Sequence, residues 1–450
     1  MALAVILVLL VIGSVIFHFW SPWWFTPVAS NWGSIDGTVE ITFWITGTVF
    51  VAINLFVAYA VFRYRKRKGS KAHYEPENTK LEIWLTVITA VGVVMLLAPG
   101  LVVWAKFVNV PEGVAEFEAI GQQWHWSYRF PGADGEFGTI NARLYSFDNP
   151  FGMNPDDPNG QDDILVSSQE VHLPVNEPVK VLLRSKDVLH NFTVAQFRVK
   201  MDMVPGLITY MWLTPTRTGT FDVFCEELCG VAHYAMRGRV VVDEADAYNE
   251  WLSGHPTYAE TLVKTPADAN VGKSLYAVCS ACHGPDGGGN KVLNAPKLAG
   301  QHAWYLERQL NNYKAGARGA HEDDVFGKQM APMAGTLVDD AAIANVIAYI
   351  DTLPDEAAPT TVTGDAGRGE KLYMTCAACH APDASGIWSQ NAPRLAGMSD
   401  WYMSNQIKNF KQGIRGTHLK DNYGGQMALM ARMLRDEQDI DDVIAYINTL

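Results

Sequence analysis

The sequence predicts a multi-domain membrane protein with transmembrane helices at the N-terminus, an antiparallel β-sandwich in the middle and two all-α domains at the C-terminus. Apolar stretches are concentrated before residue 107, and residues 112–243 are rich in Val, Thr, Phe and turn residues. The tail repeats itself at an offset of 97 residues. A chain of 450 residues is also long enough for about three domains.

The composition restricts the class of partner and the use of cysteine. The formal net charge of −13 argues against a nucleic-acid partner, because phosphate binding needs a basic face. All six cysteines fall in short C-x3-C or C-x2-C pairs. Because none is left over for a disulfide framework, attachment of a metal or cofactor is the expected use of these thiols.

Residues 1–35 form the first apolar segment and contain no Asp, Glu, Lys or Arg. The segment is either a membrane helix or a signal peptide cleaved near Pro27–Ser30. A retained helix is favoured because the segment lacks the basic n-region of a signal peptide. Trp20, Trp23 and Trp24 also resemble the aromatic belt at the end of a membrane helix.

Residues 36–107 contain two longer apolar stretches that predict a transmembrane hairpin. Ile41–Phe62 and Ile83–Ala105 are each long enough to cross the ~30 Å hydrocarbon core. The basic run Arg63–Lys68 between them is expected to remain in the cytoplasm. The chain is therefore expected to be a multi-pass protein of the bacterial inner membrane, in contact with lipid, with everything after Lys106 in the periplasm.

Glu82 lies where the second of these stretches begins. A carboxylate near a helix N-terminus is stabilised by the helix dipole. An ionisable group at a membrane edge is also a candidate for a proton path. Position alone favours the first interpretation.

The periplasmic part is predicted to divide into a sandwich and two helical repeats. Short strands such as Val179–Arg184 and Gly238–Asp243, separated by turn residues, predict an antiparallel sandwich. The repeat needs no insertion or deletion, which implies a duplicated domain of about 85 residues. The predicted boundaries are 1–35 for the first apolar segment, 36–107 for the hairpin, 108–252 for the sandwich, 253–270 for a linker, 271–354 for the first repeat, 355–365 for a second linker and 366–450 for the second repeat.

Each repeat carries one C-x-x-C-H motif, a pattern typical of covalently attached haem c. Two thiols on one helical turn add to the two vinyl groups of a haem, and the adjacent imidazole becomes the proximal ligand of the iron. A structural zinc site needs four good ligands, and each pair has only one nearby histidine. The sequence therefore predicts two cytochrome c domains, whose haem-attachment residues are Cys279, Cys282 and His283 in the first and Cys376, Cys379 and His380 in the second.

The sixth iron ligand is expected to be a methionine or histidine of the same repeat. The candidates that recur are Met330 and Met427, Met333 and Met430, and His321 and His418. The paired architecture resembles the two-haem cytochrome c4 type. In that family the axial methionine precedes, by seven positions, a leucine that begins the last helix. Through Leu337 and Leu434 the resemblance implies Met330 and Met427, in preference to the other methionine pair.

The stretch Cys225–Met236 is the most specific motif in the chain. Two cysteines four positions apart can curl round and bridge two metals, and the imidazole of His233 and a thioether follow directly. Soft sulfur ligands together with imidazole favour copper. One more imidazole is needed, and His190 on an upstream segment is the candidate. A disulfide within the pair is the alternative, but it leaves the imidazole and the thioether unexplained.

At these residues the chain resembles subunit II of haem–copper cytochrome c oxidases, over roughly residues 41–243. Its fused tail resembles that of the caa3-type variant, here with two haems c. The resemblance implies that the sandwich is cupredoxin-like and holds a binuclear CuA centre. The implied copper ligands are His190, Cys225, Cys229, His233, Met236 and the backbone carbonyl of Glu227.

The same resemblance implies three further roles. The Glu227 carboxylate would bind a Mg²⁺ shared with subunit I, Trp124 would be the point of electron entry, and Glu82 would lie at the mouth of the K proton pathway. The chain departs from the family pattern beside the tryptophan, where Gln122 and His125 replace the usual His and Tyr. It also has one apolar segment more than the usual two.

The expected function is an electron relay. A periplasmic or membrane-bound cytochrome would reduce the haems c, and electrons would continue through CuA to subunit I. There a haem a/a3–CuB site would reduce O2 to water with proton pumping, and subunit III is a further expected partner. The chain would thus be part of an oxidoreductase and translocase without a catalytic acid, base or nucleophile of its own. Which haem accepts electrons first stays open at this point.

Two other functions are weighed against this relay. One is a reductase of nitrogen oxides that also uses CuA, and the other is a membrane-tethered electron shuttle or copper carrier. The transmembrane hairpin with Glu82 favours docking on subunit I. A buried site with six ligands is also poorly suited to releasing copper.

Overall fold

The computed structural model describes residues 2–21, 26–69, 71, 74, 76–263, 265–421 and 423–450. Three helices near the N-terminus are long and apolar enough to cross a membrane, namely α1 (Ala2–Trp20), α2 (Gly33–Arg63) and α3 (Thr79–Val108). Their apolar side chains are mostly exposed, which suits lipid rather than water. Trp20 ends α1, whereas Trp23 and Trp24 lie outside the described residues.

Helix α1 packs along α2, with ring contacts of His18 on Phe43 at 6.0 Å and of Phe19 on Trp44 at 6.5 Å. The basic run predicted to stay in the cytoplasm begins at Arg63, the last residue of α2. Helix α3 begins at a cap in which the Asn78 side chain accepts a hydrogen bond from the Leu81 amide.

In the part of the chain that the structure describes, ten strands form two five-stranded sheets that pack as a sandwich. The strands are β1 (Ala115–Gln122), β2 (His125–Phe130), β3 (Ile164–Val166), β4 (Glu170–Pro174), β5 (Val179–Ser185), β6 (His190–Val194), β7 (Val199–Met203), β8 (Thr209–Leu213), β9 (Gly219–Phe224) and β10 (Arg237–Asp243). One sheet has the order β3-β2-β1-β5-β8 and the other β4-β10-β9-β6-β7. Most neighbours are antiparallel, as predicted, but β1 pairs with β5 and β4 with β10 in parallel.

The alternation of side chains along the strands builds the core of the sandwich. In β5, Val179, Val181 and Leu183 are buried, while the residues between them are partly exposed. In β2, by contrast, every residue is buried, because other parts of the chain cover both of its faces. Trp126 and Tyr128 of this strand are among the largest fully buried side chains.

Aromatic and ionic contacts fix the membrane helices to the sandwich. Trp32, at the start of α2, donates its indole N–H to the Trp212 carbonyl at 2.8 Å and is almost fully buried. Arg198 binds both carboxylate oxygens of Asp36 at 2.6 and 2.8 Å. The end of α3 is held as well, because the Tyr210 hydroxyl donates to the Val108 carbonyl at 3.1 Å.

Two short helices follow the sandwich and pack on it, α4 (Ala245–Ser253) and α5 (Tyr258–Thr261). Trp251 of α4 stacks on His172 of β4 at 4.4 Å. Tyr258 is buried, and its amide donates to the Asp163 carbonyl at 2.8 Å. The start of the segment predicted as a linker, 253–270, is therefore part of the packed sandwich.

The tail contains two helical repeats of four helices each. The first repeat consists of α6 (Ala269–His283), α7 (Ala303–Lys314), α8 (Val325–Gly335) and α9 (Asp340–Ile350). The second repeat consists of α10 (Ala366–His380), α11 (Asp400–Gln412), α12 (Gly424–Ala431) and α13 (Glu437–Ile447). Helices α8 and α9 would also be apolar enough for one broken span, but they are bent by 111° and pack within the first repeat.

The first and last helices of each repeat cross at a glycine. A β-carbon on Gly272 would lie 1.9 Å from the Asn345 carbonyl oxygen, and one on Gly369 would lie 1.9 Å from that of Asp442. No residue with a side chain fits this backbone contact. The two crossings are equivalent in the repeat, so the duplication seen in the sequence is also a duplication of helix packing.

Candidate copper and haem sites

The predicted copper ligands converge at one end of the sandwich. His190 opens β6, Cys225 directly follows β9, and Met236 directly precedes β10. Because β9 and β10 are paired up to Phe224 and Arg237, the intervening loop is clamped at both ends. The loop thereby presents its side chains toward His190 of the neighbouring strand.

Within this loop the two thiols lie side by side, with 3.7 Å between the Sγ atoms of Cys225 and Cys229. The Cys225 sulfur lies 3.9 Å from His190 Nδ1 and 3.2 Å from the Glu227 carbonyl oxygen. The Cys229 sulfur lies 3.4 Å from His233 Nδ1 and 3.9 Å from Met236 Sδ. Each sulfur therefore has one imidazole and one weaker donor nearby.

The electrostatics of the thiol pair fit a cationic occupant. The hydrogen bond between the two thiols lowers the pKa of Cys225 and raises the pKa of Cys229. Two thiolates at this distance repel each other, so both ionise readily only when positive charge lies between them. Two sulfurs, two imidazoles, a thioether and a carbonyl form a donor set typical of copper.

Asp187 orients the His190 ring from outside the donor set. Its carboxylate lies 2.8 Å from His190 Nε2, which leaves Nδ1 directed toward Cys225. Burial opposes protonation of His190, but hydrogen bonds with Asp187 and Cys225 outweigh burial and raise its pKa. The other carboxylate oxygen of Asp187 accepts a hydrogen bond from the Gln123 backbone amide at 2.7 Å. The Asp187 carboxylate thus joins the predicted copper ligand His190 to the segment that carries the predicted entry tryptophan.

Trp124 is buried, and a hydrogen bond joins its ring to the backbone of Cys229 in the ligand loop. Its indole N–H donates to the Cys229 carbonyl at 3.1 Å, and the Gln123 side chain donates to the same oxygen at 2.7 Å. The next residue is Gly230 at φ +124°, and a β-carbon there would lie 2.8 Å from the Trp124 ring. Only glycine allows the ring to approach the backbone of the ligand loop this closely.

The remaining two predicted residues lie elsewhere. The Glu227 side chain is half-buried in the ligand loop, while the neighbouring Glu226 forms an ion pair with Lys200 at 2.8 Å. Glu82 lies in the first turn of α3, exposed at the end of the hairpin where the basic run is found. The structure therefore places Glu227 at the copper loop and Glu82 at the opposite end of α3 from the sandwich.

The two C-x-x-C-H motifs end helices α6 and α10. His283 Nδ1 lies 2.8 Å from the Pro296 carbonyl oxygen, and His380 Nδ1 lies 2.8 Å from that of Pro393. These bonds fix the ring orientation and leave Nε2 of each imidazole available to an iron. Burial lowers the pKa of both histidines, which keeps them neutral as a metal ligand must be.

The candidate axial methionines lie on equivalent helices, α8 and α12. Met427 packs beside Phe410 in the small core of the second repeat. Met430 instead faces the sandwich, where the Tyr234 hydroxyl donates to its sulfur at 3.2 Å. In the first repeat, Met330 is half-buried and Met333 is 40% exposed. The two members of each methionine pair thus have different surroundings.

A reciprocal arginine pair joins the two repeats. Arg318 donates to Gln309 of its own repeat at 2.8 Å and to Tyr402 of the other at 3.0 Å. Arg415 donates to Gln406 at 2.8 Å and across the interface to Gln309 at 2.9 Å. Both guanidinium groups are buried, and within the described part of the chain their Nε–H groups have no partner. Two buried donors left over in this way fit an anionic group such as a haem propionate.

The second repeat docks on the sandwich at the tryptophan. The Gln426 side chain donates to the Trp124 carbonyl, and the Gln122 side chain donates to the Ser389 carbonyl at 2.5 Å. Tyr423 contacts the His125 ring edge-on at 5.6 Å. Burial, together with nearby Lys186 and Arg308, lowers the pKa of His125 to about 3, so this imidazole is neutral.

These contacts include residues that sequence reasoning missed. Asp187 lies three positions before His190, a spacing that could have suggested a carboxylate partner for the ligand. Arg318 and Arg415 recur in the repeat, which was a signal of shared function. Nothing in the sequence marked Tyr234 or Gln426, because their partners lie 196 and 302 positions away.

Comparison with known proteins matches two families to successive parts of the chain. The model of the cytochrome c oxidase subunit II periplasmic domain matches residues 116–244, and the cytochrome c model matches residues 269–354 and 366–450. The alternative cytochrome c oxidase subunit 2 of Bradyrhizobium diazoefficiens is 59% identical over 259 residues, which is 58% of this chain and 94% of that protein.

The tail has its own relatives. Cytochrome c4 of Azotobacter vinelandii is 34% identical over 201 residues, which is 42% of this chain and 92% of that protein. The crystal structure of reduced cytochrome c4 from Pseudomonas stutzeri is 31% identical, covers 41% of this chain and all of that one, and has a TM-score of 0.34.

The expected family, fold class and membership of an oxidoreductase complex are therefore confirmed. The oxidase domain implies CuA and the tail implies haem c, and a subunit II implies a complex with subunit I. The chain belongs to the cytochrome c oxidase subunit II family, extended by two cytochrome c domains, and it transfers electrons in a haem–copper oxidase.

Proposed function

We propose that this chain is the electron-input subunit of a terminal oxidase that reduces O2 to water and pumps protons. It would take electrons from an external cytochrome at two haems c and deliver them through CuA to subunit I. The observation that carries this proposal is the seating of the second repeat on the sandwich beside Trp124, whose indole donates to the Cys229 carbonyl at 3.1 Å. The same chain thus joins a haem-binding fold to a copper-binding loop.

In the sandwich, the residues that would hold the two coppers are those whose donor atoms already converge. They are His190, Cys225, Cys229, His233, Met236 and the Glu227 carbonyl. When bound, the binuclear centre and the haems supply one-electron oxidation and reduction. The clamped ends of the loop and the Asp187–His190 hydrogen bond hold the donors in place, so few atoms need to move when charge changes.

In the repeats, His283 and His380 would be the proximal ligands, and the four motif cysteines would form the thioether bonds. Met330 and Met427 are the proposed axial ligands. The contact of Met430 with Tyr234 supports this choice, because a sulfur that faces the sandwich is directed away from its own repeat's core. Arg318 and Arg415 would bind the haem propionates through their unpartnered Nε–H groups.

Trp124 is the proposed point of electron entry into the sandwich. Its indole contacts the ligand loop, and its own carbonyl accepts from Gln426 of the second repeat. Its backbone and ring thus link the second repeat to the copper loop. Burial of the ring and of His125 excludes water from this path.

The other proposals concern the membrane side. Three apolar helices support a multi-pass anchor in the bacterial inner membrane, with α1 retained rather than cleaved. The Glu227 carboxylate is proposed to bind Mg²⁺ at the interface with subunit I, and Glu82 to lie at the entrance of a proton path. Subunit III and lipid are proposed to complete the complex.

The test is to purify the complex through this chain and measure its pigments and its oxygen uptake. We expect haem a to co-purify and reduced cytochrome c to drive O2 consumption. In Cys225→Ser, O2 consumption should stop while both haems c still become reduced. Reduction of nitrogen oxides without O2 uptake, or a chain that purifies without subunit I, would contradict the proposal.

A further inference from the structure

We infer that the first repeat is the electron-receiving domain and that it docks a small one-electron donor protein. The second repeat contacts the sandwich through one face, and the equivalent face of the first repeat would bind the donor. The inference rests on the proposed function and adds to it the direction of the relay and the location of the donor site.

The docked face of the second repeat is the surface by which this repeat contacts the sandwich. Cys379 of the haem motif, Leu429 and Met430 pack against the core of the sandwich. Tyr423 contacts His125, and Ser389 accepts from Gln122. This face therefore contains a haem-attachment cysteine and the segment that carries a candidate axial ligand. A domain seated by this face places its haem edge toward the copper loop.

The repeat places equivalent residues on the first repeat, and these are exposed. With the offset of 97 residues, the matching positions are Cys282, Val292, Phe326, Gln329, Pro332 and Met333. All six are exposed, with 88% of Val292, 48% of Phe326 and 40% of Met333 accessible. Because their counterparts lie on the outer surface of the second repeat, these side chains face outward from the first repeat as well.

The chemistry of this face indicates its occupant. None of the six residues carries a charge, and four of them are apolar or aromatic. Exposed apolar patches of this kind mark docking sites, and apolar contact rather than ion pairing would hold the partner. The same surface in the second repeat already contacts a domain that holds a redox metal. The matching occupant is a donor protein with an apolar patch around its own metal centre.

Docking at Trp124 itself is closed to that donor. The tryptophan is buried, and the second repeat covers the adjoining His125. The external donor would therefore be oxidised by one electron at the first repeat, and the haem iron there would go from ferric to ferrous, with no bond made or broken. The second repeat, joined to the first by the reciprocal arginine pair, would come between the first repeat and the copper loop.

The first test uses the complete oxidase with reduced azurin as the probe donor, a small copper protein with an apolar patch around its metal centre. In Phe326→Asp we expect a roughly tenfold rise in KM for this donor. The rate with a small-molecule reductant should stay unchanged, since it needs no docking face. Val271→Asp is the matched control, because Val271 is equally exposed but lies near the opposite end of α6 from the haem motif, and it should leave KM unchanged.

The second test does not depend on turnover. Hydroxyl-radical footprinting of the full chain should oxidise Met333 readily and Met430 slowly, and the donor should protect Met333 alone. Exposed Met374 serves as the internal reference. In Tyr423→Ala/Gln426→Ala, which removes two contacts of the second repeat with the sandwich, Met430 should become as reactive as Met333.

The inference is overturned if Phe326→Asp leaves KM unchanged or if the donor protects another surface instead of Met333. It is also overturned if Phe326→Asp releases an oxidase subunit, since the face would then be a subunit contact. In each of these cases, O2 uptake by the unmodified oxidase with the small-molecule reductant would still support the proposed function.

Discussion

The two helical repeats have similar interiors but different surroundings. Both have a glycine at the helix crossing, and in both a proline carbonyl holds the histidine of the C-x-x-C-H motif. They diverge where the second repeat contacts the sandwich, with Tyr423 in place of Phe326 and Leu429 in place of Pro332. Duplication thus preserved the pocket for the cofactor, while the outer face of one copy became an internal contact.

The difference indicates how one fold could serve both steps of the proposed relay. A haem pocket depends on buried residues that tolerate little change, because the interior is closely packed. The partner of the domain depends on a few outer residues that can change freely. The following predictions separate the two kinds of residue, from the largest expected effect to the smallest.

The largest effect is expected from Cys229→Ser, a change that should affect the sandwich and leave both repeats intact. The change removes one of the two sulfurs that lie 3.7 Å apart, so the paired copper centre should not form. Donor-driven turnover should fall by about 100-fold or more. Copper analysis and EPR measure the loss, and the haem c absorbance should be unaffected. Retention of the paired-copper signal would show that the sulfur assignment is wrong.

The second prediction compares the methionines of the second repeat. Met427→Ala should abolish the absorption band of methionine-ligated haem in that domain and slow electron delivery by roughly tenfold, because loss of the thioether lowers the potential. Met430→Ala should keep the band and weaken only the contact with Tyr234. Visible spectra of the two variants provide the measurement. If the band is lost in Met430→Ala instead, the axial assignment must be exchanged.

The third prediction concerns the arginine pair that joins the repeats. Arg415→Leu removes one of the two guanidinium donors that Gln309 and Gln406 share, and it should lower the free energy of unfolding by about 2 kcal/mol. Arg318→Leu should have the same effect by symmetry. Because each glutamine keeps one charged donor in either single variant and loses both in the double variant, the double variant should lose more than the sum of the single variants. Additive losses in thermal unfolding would mean that the two guanidinium groups act independently.

The smallest effect is expected at His172, beneath α4. Burial opposes its protonation, but hydrogen bonds with Glu170 and Asp243 outweigh burial and raise its pKa. Nearby Arg239 pairs with Glu170, and burial together with the neighbouring His172 lowers the pKa of His255. Because its pKa is raised in the folded state, protonated His172 stabilises the folded protein fully below about pH 6.5. This contribution is lost as the pH rises through the pKa of His172 in the folded state.

His172→Gln should therefore lower stability by about 1 kcal/mol at pH 6 and by little at pH 9. Melting temperatures of both proteins across this range measure the difference. A gap of equal size at every pH would indicate that stacking on Trp251, rather than protonation, stabilises this contact.

Much of this molecule could be predicted from its sequence, because the chemistry of its cofactors requires local motifs. The copper loop and both C-x-x-C-H motifs are short and fix residue types at fixed spacings. The predicted strands at Val179–Arg184 and Gly238–Asp243 are confirmed by β5 and β10 for a similar reason, since alternation is a local property.

The order of the domains in space could not be predicted. It depends on contacts such as Gln426 with Trp124 and Tyr234 with Met430, which join residues far apart in the chain. These side chains carry no pattern of their own. The parallel pairs within the sandwich were missed for the same reason, because strand neighbours are set by topology rather than by alternation.

The most direct test of the account is the metal and haem content of the full chain, with an EPR spectrum of the oxidised protein. The account predicts two haems c and two coppers per chain, with one unpaired electron shared by the copper pair. A single mononuclear copper, or haem without paired copper, would contradict it and would leave the chain as a membrane-tethered dihaem cytochrome.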